Sequence, residues 1–336
     1  MSSAPSRSPL RPSSPSRART LLGLLLVLLA AATALAPPAR AAALTQVTGF
    51  GSNPGGLGMY AYVPESAGEG APLVVLLHGC TQTAAGYHAN SGWQKYADSE
   101  GLVLVYAEQR LVNNASRCFN WFQPADVARG SGEALSIRQM VAHAHTAFGT
   151  DPGRGYVSGL SAGGAMAAEM LSAYPETFAG GAVVAGLPSG CAADLLSAFG
   201  CQNPGRDRTP DQWGDAVRAK NPGYTGPWPR VAIWHGTADT TVVPANARES
   251  RDQWTDVWGI GQTPTSTGQL PGGTVVEEYA APSGAVAVAR YQVPGMGHGT
   301  PVDPGPAAEQ CGTAGAYFLD TVCSSYHTAR FWGILG

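Results

Sequence analysis

Apolar residues fall along this chain in two alternating patterns. Continuous runs at Leu73-Val74-Val75-Leu76-Leu77, Leu102-Val103-Leu104-Val105-Tyr106, Gly181-Ala182-Val183-Val184 and Val231-Ala232-Ile233-Trp234 predict central strands buried on both faces. Gly58 to Pro64 alternates with period two and predicts an edge strand. Between these runs lie helical segments at 93–98, 133–148, 165–171 and 246–258. Ile137, Met140, Val141 and Ala144 stand at i, i+3, i+4 and i+7 on one helix face. A β-rich pair at 274–279 and 285–293 precedes a helical tail over 314–332. Strands alternating with helices predict one α/β domain, a doubly wound, mostly parallel sheet with helices on both faces.

The segment Gly155-Tyr156-Val157-Ser158-Gly159-Leu160-Ser161-Ala162-Gly163-Gly164 reads as a strand running into a tight turn with Ser161 at its tip. A serine hydroxyl is a poor nucleophile unless it is exposed beside a base and an oxyanion site. Glycines at 159 and 163 let strand and helix approach while the serine takes a strained conformation. Among 44 glycines an ordinary Gly/Ser turn is the alternative; the strand before and the helix after favour the nucleophile. The Ala162 N–H then opens a helix, where partial positive charge favours an anion.

The strand ending at Leu77 runs into His78-Gly79-Cys80. Strand carboxyl ends gather the ligand-facing loops of such sheets, so the Cys80 N–H is the expected second oxyanion donor and His78 a supporting residue. The long loop from Glu108 to Gly132 carries Trp121 and Phe122, which would either wall the substrate site or cover the core edge. Residues 187–229 form an excursion suited to a lid or side wall.

Asp239 ends a strand 78 residues after Ser161, and His298 lies on a Gly-rich loop after the last strand, so Ser161, Asp239 and His298 follow the Ser…Asp…His order of α/β hydrolases. Asp126 precedes the serine and Asp303 follows His298, which breaks that order. Of seven histidines only His298 and His327 follow Asp239, and His327 falls in the helical tail. His143 and His145, two apart on a helix, face different ways and make no metal pair.

Arg7, Arg11, Arg17 and Arg19 precede the apolar run 21–29, and Ala39-Arg40-Ala41 offers a small-x-small cleavage site. This reads as a secretory signal over residues 1–43, with the folded domain at 44–336. The apolar run is short for a retained membrane anchor. Cleavage would remove five of the 20 basic side chains and none of the 23 acidic ones, leaving 15 against 23 and a net charge of −8. Nucleic acid is therefore not an expected partner, nor is stable membrane association; a secreted monomer is. Cys80, Cys118, Cys191, Cys201, Cys311 and Cys323 all lie in the exported part and suggest three disulfides. Of the fifteen pairings, proximity favours Cys191 with Cys201 and Cys311 with Cys323, leaving Cys80 with Cys118. No Cys-x-x-Cys occurs, and neither a metal nor an organic cofactor is expected.

His78-Gly79-Cys80-Thr81-Gln82, Cys118-Phe119-Asn120-Trp121-Phe122, Gly159-Leu160-Ser161-Ala162-Gly163-Gly164, Trp234-His235-Gly236-Thr237-Ala238-Asp239 and Pro294-Gly295-Met296-Gly297-His298-Gly299 together resemble the catalytic domain of extracellular short-chain polyhydroxyalkanoate depolymerases of the type 1 arrangement. The resemblance spans residue 45 to the end. It implies a secreted α/β hydrolase cleaving poly(3-hydroxybutyrate)-type esters, with Ser161, Asp239 and His298 as triad and the Cys80 amide in the oxyanion hole. Feruloyl and acetylxylan esterases share these motifs and supply the alternative substrates; a small-ester carboxylesterase and a non-catalytic binding protein on the same scaffold are further readings. Many such depolymerases carry a linker and binding domain after the catalytic one, whereas this sequence stops at Gly336. Amorphous polymer, oligomers or another polyester are therefore expected over crystalline polymer.

Overall fold

The computed structural model describes residues 1–5, 8–10 and 42–335. The signal segment's basic residues, apolar run and cleavage site lie outside them. From Ala42 onward the chain is one compact unit.

Its strands are β1 (Thr45–Val47), β2 (Gly58–Tyr62), β3 (Ala71–Leu77), β4 (Val103–Glu108), β5 (Thr150–Leu160), β6 (Gly180–Val184), β7 (Arg230–Gly236), β8 (Ser266–Gln269), β9 (Val275–Ala280), β10 (Val286–Val293), β11 (Thr300–Val302) and β12 (Phe318–Asp320). Its helices are α1 (Ala84–Asn90), α2 (Trp93–Glu100), α3 (Pro124–Val127), α4 (Gly132–Ala147), α5 (Ala162–Ala173), α6 (Leu195–Gln202), α7 (Pro210–Arg218), α8 (Ala245–Val257) and α9 (Ser324–Trp332). Ten strands form one sheet in the order β1-β2-β4-β3-β5-β6-β7-β10-β9-β8. The run β4-β3-β5-β6-β7-β10 is parallel throughout, and antiparallel strands finish both edges.

Every residue of β3 is buried, as its unbroken apolar run requires, because helices cover both faces. On one face Ile137 of α4, Met166 of α5 and Trp254 of α8 join a single core. On the other, Trp93 and Tyr96 of α2 pack with Phe331 and Trp332 of α9, and the Trp93 and Tyr156 rings stack on Trp332.

Three expectations change. The 58–64 strand is not an edge: β1 pairs outside it, so four of the five β2 residues are buried. The tail is not one helix. Phe318–Asp320 instead pairs in parallel with Thr300–Val302, and the Cys311–Cys323 disulfide ties the connection between these strands to the start of α9. The 108–132 loop contains the short helix α3, with Pro124 in its first turn, where its missing N–H costs nothing.

All three disulfides, Cys80–Cys118, Cys191–Cys201 and Cys311–Cys323, are present. Among the described residues no helix is long and apolar enough to cross a membrane, and no cluster of three or more His, Cys, Asp or Glu is placed to hold a metal ion.

Candidate active site

The carboxyl ends of β3, β5, β7 and β10 converge on one cleft of about 720 Å³. Ser161 stands where β5 turns into α5, with φ 57° and ψ −118°, a conformation costly for a residue with a Cβ. The close packing that holds it there needs glycine on both sides. A Cβ on Gly159 would lie 2.2 Å from the Gly163 carbonyl oxygen, and one on Gly163 would lie 2.2 Å from that of Leu77. The Ser161 N–H donates to the Val184 carbonyl, which ties the turn to the neighbouring strand and leaves the hydroxyl at the cleft floor.

His298 reaches Ser161 from the loop after β10. Its Nε2 lies 2.9 Å from Ser161 Oγ and its Nδ1 lies 2.7 Å from Asp239 Oδ2. The histidine and aspartate loops are stitched together: Thr237 N–H donates to the Val293 carbonyl, Ala238 N–H to that of Met296, and Gly295 N–H to Thr237 Oγ1. Asp239 Oδ1 accepts the Thr241 and Val242 N–H groups, both at 2.9 Å. Burial raises the Asp239 carboxyl, but hydrogen bonds from His235 and His298 outweigh it and hold the group well below the usual carboxylate range. Of the competing acids, Asp126 sits on α3 beside Glu133 and Asn120, while Asp303 bridges Cys311 through its backbone and accepts from Gln310. His327 packs against Trp234 and Tyr326, away from the cleft.

Cys80 and Ala162 line the same cleft as Ser161 and His298. Ala162 is the first residue of α5, so its N–H has no partner within the helix. The Cys80 turn is fixed from several directions. Gly79 N–H donates to Gln82 Oε1, Thr81 N–H donates to the Ser116 carbonyl, and the disulfide joins Cys80 to Cys118. His78 is buried and touches neither Ser161 nor the cleft. Its Nε2 accepts the Gln109 N–H at 3.0 Å, so Nδ1 carries the proton and donates to the Gly79 carbonyl at 2.7 Å. Burial pushes its pKa down, consistent with a neutral ring.

Trp121 and Phe122 line the cleft and belong to the core beneath it, their rings meeting edge to face. The 187–229 excursion supplies a side wall: α6 presents Leu195, Ala198 and Phe199 to the cleft, with the Cys191–Cys201 bridge at its base. Across the mouth stands Tyr317, whose ring lies edge-on to His298 at 6.3 Å. Sequence reading missed Leu195, Phe199 and Tyr317, because the wall elements are too short to give periodicity. It also missed Glu133, wholly buried under the cleft; burial pushes this carboxyl up to about 8, with bonds from Asn120 and Gln109 opposing the shift. A glutamate in a predicted first helical turn ordinarily means only a favourable helix dipole.

A family model described as "Esterase PHB depolymerase" matches residues 57–278. Poly(3-hydroxyalkanoate) depolymerase C of Paucimonas lemoignei is 52% identical over 295 residues, covering 88% of this chain and 71% of that protein. Feruloyl esterase B of Neurospora crassa is 39% identical over 72% of this chain and 81% of its own length. An acetylxylan esterase of Coprinopsis cinerea is 35% identical over 79% and 71%. Among solved structures, the acetyl xylan esterase from Aspergillus awamori superposes with a TM-score of 0.73 at 26% identity, covering 87% of this chain and all of that one. An α/β sheet closed by a serine, a histidine and an aspartate in hydrogen-bonded series, and these similarities over most of its length, make the chain a carboxylic ester hydrolase of the PHB depolymerase esterase family.

Proposed function

We propose that this enzyme cleaves polyester chains of the poly(3-hydroxybutyrate) type, with Ser161 as nucleophile. The observation that carries the substrate class is the 52% identity to a poly(3-hydroxyalkanoate) depolymerase, well above the 34–39% of the carbohydrate-directed relatives. The cleft mouth supports it: Leu195, Phe199 and Tyr317 line the opening while remaining 55%, 59% and 47% exposed. So much apolar surface at a site entrance suits a water-insoluble aliphatic chain.

In this reading His298 takes the Ser161 proton as Oγ attacks the ester carbonyl. The Cys80 and Ala162 N–H groups hold the tetrahedral oxyanion, and Asp239 keeps the imidazole tautomer and stabilises its cation. The protonated His298 gives its proton to the departing alkoxide as the acyl-enzyme forms. Water then enters, loses a proton to the same imidazole, and releases the hydroxy acid with Ser161 restored. Three disulfides in the folded unit fit an oxidising compartment, in keeping with export through a signal over 1–43; we take the domain at 44–336 to work as a monomer.

The deciding assay is product release by the purified enzyme from amorphous poly(3-hydroxybutyrate), beside feruloylated and acetylated xylan, with Ser161→Ala as blank. Soluble 3-hydroxybutyrate or its oligomers, absent from the blank, are expected. Release of ferulate or acetate alone would transfer the enzyme to the carbohydrate esters and leave the nucleophile standing.

A further inference from the structure

Beneath the cleft, one hydrogen-bond relay joins a buried acid on α4 to both the Cys80 turn and the aromatic wall. Glu133 is fully buried. Its Oε1 accepts from Gln109 Nε2 at 2.5 Å and its Oε2 accepts the Asn120 N–H at 2.9 Å. Gln109, also fully buried, has both polar ends of its side chain engaged. Besides Glu133, Nε2 donates to the Cys118 carbonyl, and Oε1 accepts from Arg110 N–H and Asn113 Nδ2. Its backbone N–H meets His78 Nε2, whose other nitrogen donates to the Gly79 carbonyl. The carbonyl of Gly79 and the N–H of Cys80 belong to one peptide unit, so whatever orients that carbonyl orients that N–H.

We propose that Glu133 is a positioning residue for ester hydrolysis, aiming the Cys80 N–H through Gln109 and His78 and seating Trp121 and Phe122 through Asn120. A buried acid in a folded core is otherwise a liability, tolerated only where its bonds are satisfied. Here both oxygens are spent on donors that lead to the site. Nothing apolar or amide-bearing of the same size can replace it. In Glu133→Gln one end of the side chain becomes a donor, and either flip sets it against the Asn120 N–H or the Gln109 amide. One of the two branches must then open.

The inference rests on the reading of the Cys80 N–H as an oxyanion donor, and the test separates the two. Hydrolysis of p-nitrophenyl butyrate is measured at pH 9, where the carboxyl is ionised, for the wild type, Glu133→Gln, Gln109→Ala and the double variant, with Ser161→Ala as blank. Inhibition by a butyryl trifluoromethyl ketone, which forms an oxyanion on serine, is measured alongside. A misplaced catalytic group costs up to about 100-fold. Each single variant should therefore lose about 10- to 100-fold in kcat with KM changed less than about threefold, the ketone's inhibition constant should rise in parallel, and the double variant should be no worse than the poorer single one. Full kcat and unchanged ketone binding in a folded Glu133→Gln would overturn the proposal, as would losses that multiply in the double variant. Where Glu133→Gln does not fold, Gln109→Ala decides the matter by the same readouts. A wild type inactive on the soluble ester would instead sink the hydrolytic assignment of Ser161.

Discussion

The imidazole of His235 lies 3.5 Å from Asp239 Oδ2, the same oxygen that faces His298, and neither His235 nor Asp239 is open to solvent. His235 Nε2 also stands 2.7 Å from the Val242 carbonyl, which can only accept, so Nε2 carries the proton and is shared between the two oxygens. Asp239 is thus held by donors on both carboxylate oxygens before His298 arrives. Replacing the ring in His235→Leu leaves an apolar side chain of similar size and removes that donor. Stability should fall by about 1–3 kcal/mol, measured by urea unfolding at pH 7. Equal stability would mean that His235 merely fills space.

Asp239→Asn tests the orientation of His298. The Asn oxygen is claimed by the Thr241 and Val242 N–H groups, which turns the amide nitrogen toward His298 Nδ1. That nitrogen must then accept, and the ring's proton moves to Nε2, facing Ser161, where a base is needed. Turnover should drop by about 10⁴-fold. The pH profile of stability carries a second signature. Because the folded-state pKa of Asp239 is depressed, its contribution is present above the ordinary carboxylate pKa and is lost as pH falls through the lower folded value. The stability gap between wild type and Asp239→Asn should close in strong acid; a gap that stays constant with pH would contradict the depressed value.

How much of this was legible beforehand follows from which signals are local. The Ser161 turn, the buried β3 run and the strand ending in Asp239 each write their structure into a few consecutive residues, so the sheet class could be read directly. The three disulfides followed from proximity and subtraction. The 314–332 segment was misread because Cys311–Cys323 and the β11–β12 pairing are long-range constraints that override helical composition. Edge position was likewise invisible for Gly58–Tyr62, since the three residues of β1 that cover it are too few to show a period. The Glu133–Gln109–His78 relay links three elements, and nothing in the neighbourhood of any one residue announces it.

The Ser161 turn makes a sharp steric prediction with an internal control. In Gly163→Ala the new methyl meets the Leu77 and His78 carbonyl oxygens at 2.2 and 2.5 Å, both backbone atoms of a buried strand end that cannot swing aside. A loss of about 1–3 kcal/mol or more is expected, together with activity. Gly200 on α6 has open space around its would-be Cβ, and Gly200→Ala should raise stability by about 0.5–1 kcal/mol. Thermal unfolding of the two variants should move in opposite directions; a tolerated Gly163→Ala would show that the turn can relax.

The apolar mouth separates binding to a solid from chemistry in the cleft. Leu196 is 83% exposed on α6, beside Leu195 but outside the cleft lining. Its side chain contributes to no core, so Leu196→Ser costs the fold little and leaves Ser161, His298 and Asp239 untouched. On a soluble ester its kcat and KM should match the wild type. On a polyester film the lost apolar contact weakens adsorption: burying a leucine side chain is worth about 1.5–3 kcal/mol when complete, and partial burial against a surface gives a several-fold drop in bound enzyme at low loading. Film erosion should fall by the same factor and recover when enzyme is raised to saturate the surface. Erosion equal to wild type at low loading would show that α6 does not meet the polymer, and would move the adsorbing face elsewhere on the mouth.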